Sequence, residues 1–471
     1  MLTLPVSQLI DITGGSLLND QSVDTMVNGI SIDSRGIEPG NAFFAFRGTA
    51  VDAHDLLADA ISLGARALVV TRRASELARV LDYACQRDVA VVQVADTLEA
   101  IQRLASYHRS RLFCPVIGVT GSTGKTTTKD FITSVLGIAA RVVSTEGNQN
   151  NELGVPLTLL RAGADTDVLV VEMAMRGEGQ ISALARIARP TVGLITNIGT
   201  SHIEVLGSQD AIARAKGELV RAIPADGMVF LNGDDGYTEL IAQGLEAPVT
   251  RYGLGDDNAV RADGIELDDE SRPTFELVTP GFRRCVAVNV PGRHNVYNAL
   301  AAAAVAVHLG MNSEDIARGL RDATPGDMRM QSFISATGVH VINDAYNANP
   351  TSMRAAIETL SGMTAGSRRI AVLGDMAELG SLTELAHFRI GEEVARLNID
   401  VLVTVGERAR RIADGARAEG MDGSCIRPCA TADEGSEVLD DLVRAGDVVL
   451  VKASRVMGLE RVVEGIVTPR V

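Results

Sequence analysis

The chain has 471 residues, which at about 150 residues per domain predicts roughly three domains. Hydrophobic residues make up 46% and charged residues 22%, so the chain can bury several cores, and this composition excludes intrinsic disorder. The formal net charge of −16 argues against general nucleic-acid binding, which needs a broad basic face, but it is compatible with a small anionic substrate bound by local donors.

The first region, residues 1–112, alternates short apolar strands with helical stretches. Strands are predicted at GISIDSR (29–35) and NAFFAFRG (41–48), and a helix is predicted at AHDLLADAISLGA (53–65). The opening sequence lacks a basic leader, and no run of about 18 apolar residues occurs in the chain, so we expect no signal peptide, no membrane span and a cytoplasmic location.

The second region, residues 113–329, starts a new series of strands and helices after Cys114-Pro115. Residues 251–290 change to short alternating runs that predict a small antiparallel patch, and residues 293–310 predict a long helix closed by Gly310. The other strands of this region are predicted at residues 115–120, 167–175, 191–199 and 227–235.

The third region, residues 330–471, follows Pro325-Gly326 and again alternates strands with helices. Its strands are predicted at residues 338–346, 368–375, 400–406 and 447–454. Strands that alternate with helices of about 10–15 residues are typical of mostly parallel sheets covered by helices. The sequence therefore predicts an α/β protein whose three regions are three domains.

Residues 118–126, GVTGSTGKT, follow an apolar strand and open a helix, which is the context of a phosphate-binding loop. Glycines let backbone N–H groups turn toward phosphate oxygens, and the helix N-terminus adds its positive dipole end. Lys125 would reach the β- and γ-phosphates of ATP, and the Thr126 hydroxyl would bind Mg²⁺. Val119 stands where the usual pattern has its first glycine, so that glycine is displaced here.

Two further side chains follow the next predicted strands. Glu172 ends the apolar run DVLVV, and His202 follows TVGLITNIG. Ligands of open α/β sheets gather at the carboxyl ends of strands, so a carboxylate and an imidazole at these positions favour a metal site beside the loop. Each residue taken alone is also consistent with an ordinary edge charge or loop histidine.

Lysine is rare in this chain. The 44 basic residues include only four lysines, which are Lys125, Lys129, Lys216 and Lys452. A lysine retained among so many arginines suggests a role that a guanidinium cannot fill, such as a tight phosphate site or a covalent adduct. Lys216 is the clearest candidate, although chance retention with a simple salt bridge to Glu218 is the alternative.

Seven strings in chain order resemble the Mur ligase family. They are GSTGKTTTK (121–129), GNQNNELGVP (147–156), VVEMAMRGEG (170–179), TNIGTSHIE (196–204), AKGEL (215–219), PGRHNVYNALAA (291–302) and NDAYNANPTSM (343–353). The resemblance implies an N-terminal domain for a UDP moiety, a central ATPase domain and a C-terminal Rossmann-like domain.

The resemblance also implies the reaction and its partners. An ATP-dependent ligase would join D-alanyl-D-alanine to the terminal carboxylate of UDP-N-acetylmuramoyl-tripeptide through an acyl phosphate, and the protein would be a monomer. A carboxylate is a poor electrophile until its oxygen becomes a phosphate leaving group, so the site must hold two anions together with Mg²⁺ and several cations.

Site residues follow from the resemblance position by position. Two Mg²⁺ ions would be bound, the first by Thr126 and Glu172 and the second by His202 and a carbamate on Lys216. Residues implied to bind ATP are Gly121, Ser122, Thr123, Gly124, Lys125, Thr126, Thr127, Asn298 (adenine), Arg329 (γ-phosphate) and Asp344 (ribose). Residues implied to bind the UDP-substrate are Ser34, Arg35, Arg47, Gly48, Asn148, Asn150 and Asn151, with Lys452 and Arg455 as candidates for an anionic group.

The chain departs from the family pattern in two places. Relatives often carry Gly-Arg-Met before the third domain, where this chain reads PGDMRMQ (325–331), so Arg321 is a second, poorer candidate for the role given to Arg329. Relatives often carry Lys-Gly-Ser-Arg where this chain reads KASR (452–455). Asp375 and Glu378 match a family block but have no role that the sequence explains.

Two other functions are compatible with part of the sequence. One is a different ligase of the same family, which would add another amino acid or glutamate, but the strings at 147–156 and 343–353 favour the dipeptide ligase. The other is a P-loop switch that hydrolyses ATP without ligation, which would need neither Lys216 nor His202. The sequence leaves open whether the tripeptide ends in meso-diaminopimelate or L-lysine.

Overall fold

The computed structural model describes residues 2–21, 23–364 and 368–467. The chain folds into two compact units. The first unit comprises the described residues up to Gly118 with Ala140–Ala174 and Ile181–Val192, and the second comprises Val119–Ala139, Met175–Gln180 and the described residues from Gly193 onward. No helix in the described part of the chain has the length and apolar character that a bilayer crossing requires.

The first region forms a five-stranded sheet and a separate two-stranded one. Its strands are β1 (Thr3–Pro5), β2 (Ser16–Leu17), β3 (Met26–Asn28), β4 (Ile30–Ser31), β5 (Ala42–Phe44), β6 (Ala67–Val70) and β7 (Ala90–Gln93). Its helices are α1 (Val6–Thr13), α2 (Leu57–Ser62), α3 (Ala78–Gln86) and α4 (Thr97–Arg109). The larger sheet has the order β2-β7-β6-β5-β4, in which only β2 pairs antiparallel.

The strand predicted over residues 29–35 is shorter in the structure. It ends at Ser31, and a 3₁₀ turn, Ser34–Gly36, follows. The Asp33 carboxylate accepts a hydrogen bond from the backbone N–H of Arg35, at 3.0 Å. Such a local bond offers the backbone an alternative to the sheet, which explains the early end of the strand.

The second region contributes a nine-stranded sheet of order β16-β15-β14-β13-β12-β11-β8-β10-β9. Its strands are β8 (Val116–Thr120), β9 (Val142–Ser144), β10 (Val168–Glu172), β11 (Val192–Ile195), β12 (Met228–Asn232), β13 (Val249–Gly253), β14 (Val260–Leu267), β15 (Pro273–Val278) and β16 (Arg283–Ala287). The antiparallel patch predicted within residues 251–290 is β14 to β16.

The helices of the second region begin with the one that follows the glycine-rich loop. They are α5 (Lys125–Leu136), α6 (Gly154–Arg161), α7 (Gln180–Ala188), α8 (Ile203–Leu206), α9 (Gln209–Arg221), α10 (Thr238–Ala242), α11 (Asn295–His308) and α12 (Ser313–Asp322). The predicted long helix is α11, and Gly310 follows it with a left-handed φ of 79°, as a residue without Cβ permits.

The third region forms a six-stranded sheet of order β17-β18-β22-β19-β20-β21, parallel except at β17. Its strands are β17 (Gln331–Ile334), β18 (His340–Asn343), β19 (Arg369–Gly374), β20 (Val401–Val405), β21 (Ile426–Cys429) and β22 (Val448–Lys452). Its helices are α13 (Pro350–Gly362), α14 (Thr383–Arg396), α15 (Arg410–Ala418), α16 (Ala432–Leu442) and α17 (Glu460–Val467). The predicted α/β class with mostly parallel sheets is confirmed.

Candidate active site

The glycine-rich loop between β8 and α5 runs so close to its neighbours that two positions require glycine. Gly121 has a φ of 151°, and a Cβ there would collide with Thr196 Oγ1. Gly124 has a φ of 75°, and a Cβ there would lie 2.7 Å from Asn298 Oδ1. The loop therefore follows a path that residues with side chains could not take.

The residues directly after β11 support this loop. The side-chain amide of Asn197 accepts from the Thr123 N–H at 3.0 Å and donates to Thr123 Oγ1 at 2.8 Å. Thr196 Oγ1 donates to the Thr123 carbonyl at 2.6 Å, and the Gly199 N–H donates to Ser122 Oγ at 2.8 Å. Neither Thr196 nor Asn197 was among the predicted site residues, although their position directly after an apolar strand was a usable signal.

Two lysines converge on one atom of the loop. Lys125 Nζ donates to the Gly121 carbonyl at 2.9 Å, and Lys216 Nζ donates to the same oxygen at 3.0 Å. Lys216 is 2% exposed, and this carbonyl is its one hydrogen-bond partner among the described residues. Burial lowers the pKa of Lys216 well below its ordinary value, and the charge of Lys125 lowers the pKa further.

The alternative role for Lys216, a salt bridge to Glu218, does not occur in the described part of the chain. Glu218 instead accepts the Gly179 N–H at 2.6 Å. A buried amine with a depressed pKa and no carboxylate partner is unprotonated more readily than a surface lysine. That is the state in which an amine reacts with CO₂, so the environment of Lys216 fits a carbamate.

His202 lies near both lysines and contacts a carboxylate from the third region. Its Nδ1 is 2.8 Å from Oε2 of Glu378. Burial lowers the pKa of His202, Glu378 opposes that shift, and the charges of Lys216 and Lys125 add to it. His202 also has a left-handed backbone, with a φ of 63°.

In the first unit, Glu172 is a buried carboxylate at the end of β10. It is 1% exposed, and its Oε1 accepts from Asn150 Nδ2 at 2.8 Å. Two residues predicted to have different roles are therefore in direct contact. Asn151 caps α6, since its Oδ1 accepts from the Gly154 N–H at 2.9 Å, and Asn148 is exposed.

The residues predicted to bind Mg²⁺ are few, which is compatible with an ion that usually has only one or two protein ligands. Among the described residues, no three His, Cys, Asp or Glu side chains form a group that could hold a metal ion. Mg²⁺ usually binds one or two carboxylates together with waters and substrate phosphates. Glu172 in the first unit and the 7% exposed Thr126 in the second each offer a hard oxygen donor, and the assignment of two ions to these residues stays a prediction.

The residues predicted to contact the nucleotide from the third region form a connected group. Lys452 Nζ donates to the Asp344 carboxylate at 2.6 Å and to the Asn347 carbonyl at 2.9 Å. Lys452 is 3% exposed, and its role toward an anionic substrate group stays a prediction. The Arg329 guanidinium stacks on the Tyr346 ring, 3.9 Å from its centroid.

Two other predicted residues have simple surroundings. Asn298 is buried, and its Oδ1 accepts from Thr128 Oγ1 at 3.0 Å. Arg455 is exposed and pairs with Glu460 at 2.9 Å. These contacts leave the adenine role of Asn298 and the anion role of Arg455 as predictions.

The predicted UDP-contacting residues of the first unit lie on exposed turns. The Arg35 side chain is 88% exposed and pairs with Asp33 at 2.7 Å, which lowers the pKa of Asp33 to about 2. Ser34 lies beside it in the same 3₁₀ turn. Arg47 and Gly48 form an exposed turn in which the Gly48 N–H donates to the Val51 carbonyl at 3.0 Å.

Known proteins resemble this chain along its whole length. Its three matching family models are the Mur ligase family catalytic domain over residues 26–109, the Mur ligase middle domain over 119–306 and the Mur ligase glutamate ligase domain over 328–455. The chain is 38% identical to the UDP-N-acetylmuramoyl-tripeptide–D-alanyl-D-alanine ligase of Mycobacterium tuberculosis, covering 99% of this chain and 98% of the relative. It is 34% identical to the ligase of the same name from Bacillus subtilis, covering 99% of each.

Solved structures give the same result. A crystal structure of MurF from Acinetobacter baumannii matches with a TM-score of 0.87 and 33% identity, covering 99% of both chains. The MurF ligase of Thermotoga maritima in complex with ADP matches with a TM-score of 0.78 and 25% identity, covering 93% of this chain and 96% of that one. With these full-length matches and the three family models, the chain belongs to the Mur ligase family.

Proposed function

We propose that this protein joins D-alanyl-D-alanine to the terminal carboxylate of UDP-N-acetylmuramoyl-tripeptide, with ATP, to form UDP-N-acetylmuramoyl-pentapeptide in cytoplasmic peptidoglycan precursor synthesis. The observation that carries the proposal is the convergence of Lys125 and Lys216 on the Gly121 carbonyl of the nucleotide loop. A simple ATP switch has no need for the second, fully buried amine. The full-length identity to ligases with this name supports the choice of substrates.

The chemistry requires that a carboxylate be activated. Its oxygen attacks the γ-phosphorus and ADP leaves; the dipeptide amine then attacks the acyl carbon, loses a proton, and phosphate leaves. Lys125 and Arg329 would offset the negative charge on the transferring phosphoryl group. Asn298 would contact the adenine and Asp344 the ribose, with Lys452 holding the Asp344 carboxylate in place.

Two Mg²⁺ ions, when bound, would offset the negative charge of the phosphates. Thr126 and Glu172 would hold one ion, and His202 with a carbamate on Lys216 would hold the other. The burial of Lys216 supports the carbamate, because only an unprotonated amine forms one, and the carbamate replaces a cation by a hard oxygen ligand.

The substrates would be divided among the three regions. Residues 1–112 would bind the UDP moiety, residues 113–329 ATP, and residues 330–471 would complete the nucleotide site; the three matched ranges support this division. Ser34, Arg35, Arg47 and Gly48 would contact uridine and diphosphate, and Asn148, Asn150 and Asn151 the muramoyl-peptide. We propose that the protein acts as a monomer.

The test is phosphate release from ATP by the full-length protein. We expect release to require both D-alanyl-D-alanine and UDP-N-acetylmuramoyl-tripeptide, and comparison of the meso-diaminopimelate and L-lysine forms of the tripeptide identifies its third residue. Lys125→Ala should lower turnover by about three orders of magnitude or more while UDP-substrate binding persists. Equal phosphate release without the dipeptide would contradict the ligase and support an ATP switch.

A further inference from the structure

The three residues before Glu378 are each hydrogen-bonded to another part of the third region. Asp375 Oδ1 accepts from the Ala409 N–H at 2.7 Å. The Met376 N–H donates to His387 Nε2 at 2.9 Å, and the Ala377 N–H donates to Ser454 Oγ at 2.8 Å. Glu378 is therefore presented from a backbone that has little freedom to move.

The contact between Glu378 and His202 joins two residues with unusual backbones. Glu378 has a φ of 60° and His202 a φ of 63°, in the left-handed region that residues with a Cβ disfavour. The next turn packs closely as well, since a Cβ on Gly380 would lie 3.2 Å from Glu204 Cγ. Non-glycine residues persist in such conformations where the surrounding structure imposes them, often at functional sites.

Stability alone does not account for this arrangement. The Glu378 side chain is 55% exposed and that of His202 is 25% exposed. An ion pair with so much solvent access contributes little to folding. The contact does, however, constrain the histidine ring. A carboxylate only accepts hydrogen bonds, so Nδ1 carries the hydrogen, and in the neutral ring Nε2 then keeps its lone pair.

We propose that Glu378 is a positioning residue for His202: by accepting the Nδ1 hydrogen, it fixes the ring with Nε2 available as a ligand. This inference rests on the proposed function, in which His202 holds a metal ion. Metal-binding histidines commonly donate their other ring N–H to a carboxylate, which sets the tautomer and orientation of the ring. The third region then supplies the group that orients a ligand of the second region.

The direct test is the tautomer of His202 in the full-length protein. Long-range ¹H–¹⁵N spectra of chain labelled with ¹⁵N-histidine report both ring nitrogens, and His202→Asn assigns the signals. We expect the wild-type protein to show a protonated Nδ1 and an unprotonated Nε2. In Glu378→Ala the two nitrogen shifts should move toward each other, whereas Glu378→Gln, which keeps an acceptor oxygen and the same shape, should retain most of the difference.

A second measurement is the Mg²⁺ concentration that gives half-maximal turnover. We expect Glu378→Ala to raise it by about 10-fold or more, with the KM for the UDP-substrate unchanged. Glu384→Ala is the matched control, because Glu384 lies in the same region but pairs with Arg411 at 2.7 Å. It should leave both the His202 shifts and the Mg²⁺ dependence as in wild type.

The outcomes separate the two proposals. Unchanged His202 shifts in Glu378→Ala would overturn the positioning role, even if the wild-type protein is a ligase. If the shifts respond but wild-type phosphate release does not depend on the dipeptide, the positioning contact stands and the proposed function fails.

Discussion

Basic side chains at the nucleotide loop and on the turn that carries Arg35 are held in place by different kinds of contact. Around the nucleotide loop of the second unit, Lys216 is 2% exposed and Thr126 7% exposed, and the loop backbone is bonded to the residues after β11. On the turn that carries Arg35 in the first unit, the guanidinium is 88% exposed and its partner is the adjacent Asp33. The first arrangement is set by tertiary packing and the second by local contacts.

The difference explains the distribution of lysine and arginine. Three of the four lysines, Lys129, Lys216 and Lys452, are 6% exposed or less. A compact ammonium group fits an enclosed site, and its pKa responds to burial, while a guanidinium stays charged and can serve on an open turn. Arginine therefore predominates on the surface of this chain, and lysine persists inside.

The largest effect is expected for Lys216→Arg. Arginine keeps the charge but cannot form a carbamate, so we expect near-complete loss of ligase turnover. Lys129→Arg is the matched control, since Lys129 is also buried but pairs with Asp130, a contact that a guanidinium can replace. The adduct itself is measured by ¹³C NMR after addition of ¹³C-bicarbonate, and a fully active Lys216→Arg protein would contradict the carbamate.

A moderate effect is expected from a substitution on the exposed turn of the first unit. Arg35→Ala should raise the KM for the UDP-substrate about 10-fold and leave kcat and the KM for ATP unchanged, because it removes a binding contact remote from the reacting atoms. The free energy of unfolding should stay close to that of the wild type, because the side chain is exposed. Arg87→Ala, another exposed arginine of the first unit, which lies over the Tyr83 ring, is the control and should alter none of these constants. A loss of kcat in Arg35→Ala would assign this turn to the reaction itself.

The features that could be predicted from the sequence are those that depend on the local pattern of residues. The α/β class, the glycine loop and the antiparallel patch at β14 to β16 follow from periodicity and glycine spacing, and the structure contains them. The short edge strand β17 was missed because its four residues carry little pattern. The UDP, ATP and metal assignments stay predictions.

Contacts between residues far apart in the chain could not be predicted from local sequence pattern. The hydrogen bond from Lys452 to the carboxylate of Asp344 was not predicted, because only tertiary packing brings these two residues together. The predicted role of Lys452 toward an anionic substrate group stays a prediction. Glu378 matched a family string, yet nothing in the string indicated His202 as its partner.

The smallest effect concerns the backbone of the segment that carries Arg329, whose guanidinium packs on the Tyr346 ring. Met328 and Met330 flank Arg329 with φ of 56° and 50°, so Met328 has the conformation that suits the glycine often found in relatives. A left-handed backbone destabilises the folded state by about 1–2 kcal/mol when the residue has a Cβ. Glycine avoids this strain, but its greater freedom in the unfolded chain lowers the free energy of unfolding by about 0.5–1 kcal/mol.

We therefore expect Met328→Gly to be about 1 kcal/mol more stable than Met328→Ala, as measured by urea unfolding. Both variants lose the contact of Met328 Sδ with Arg455 Nη1, at 3.5 Å, so the difference between them isolates the backbone term. Turnover should be similar in both if Arg329 keeps its place over Tyr346. An alanine variant as stable as the glycine variant would show that the left-handed conformation at residue 328 carries no strain, and that the methionine side chain alone fixes this segment.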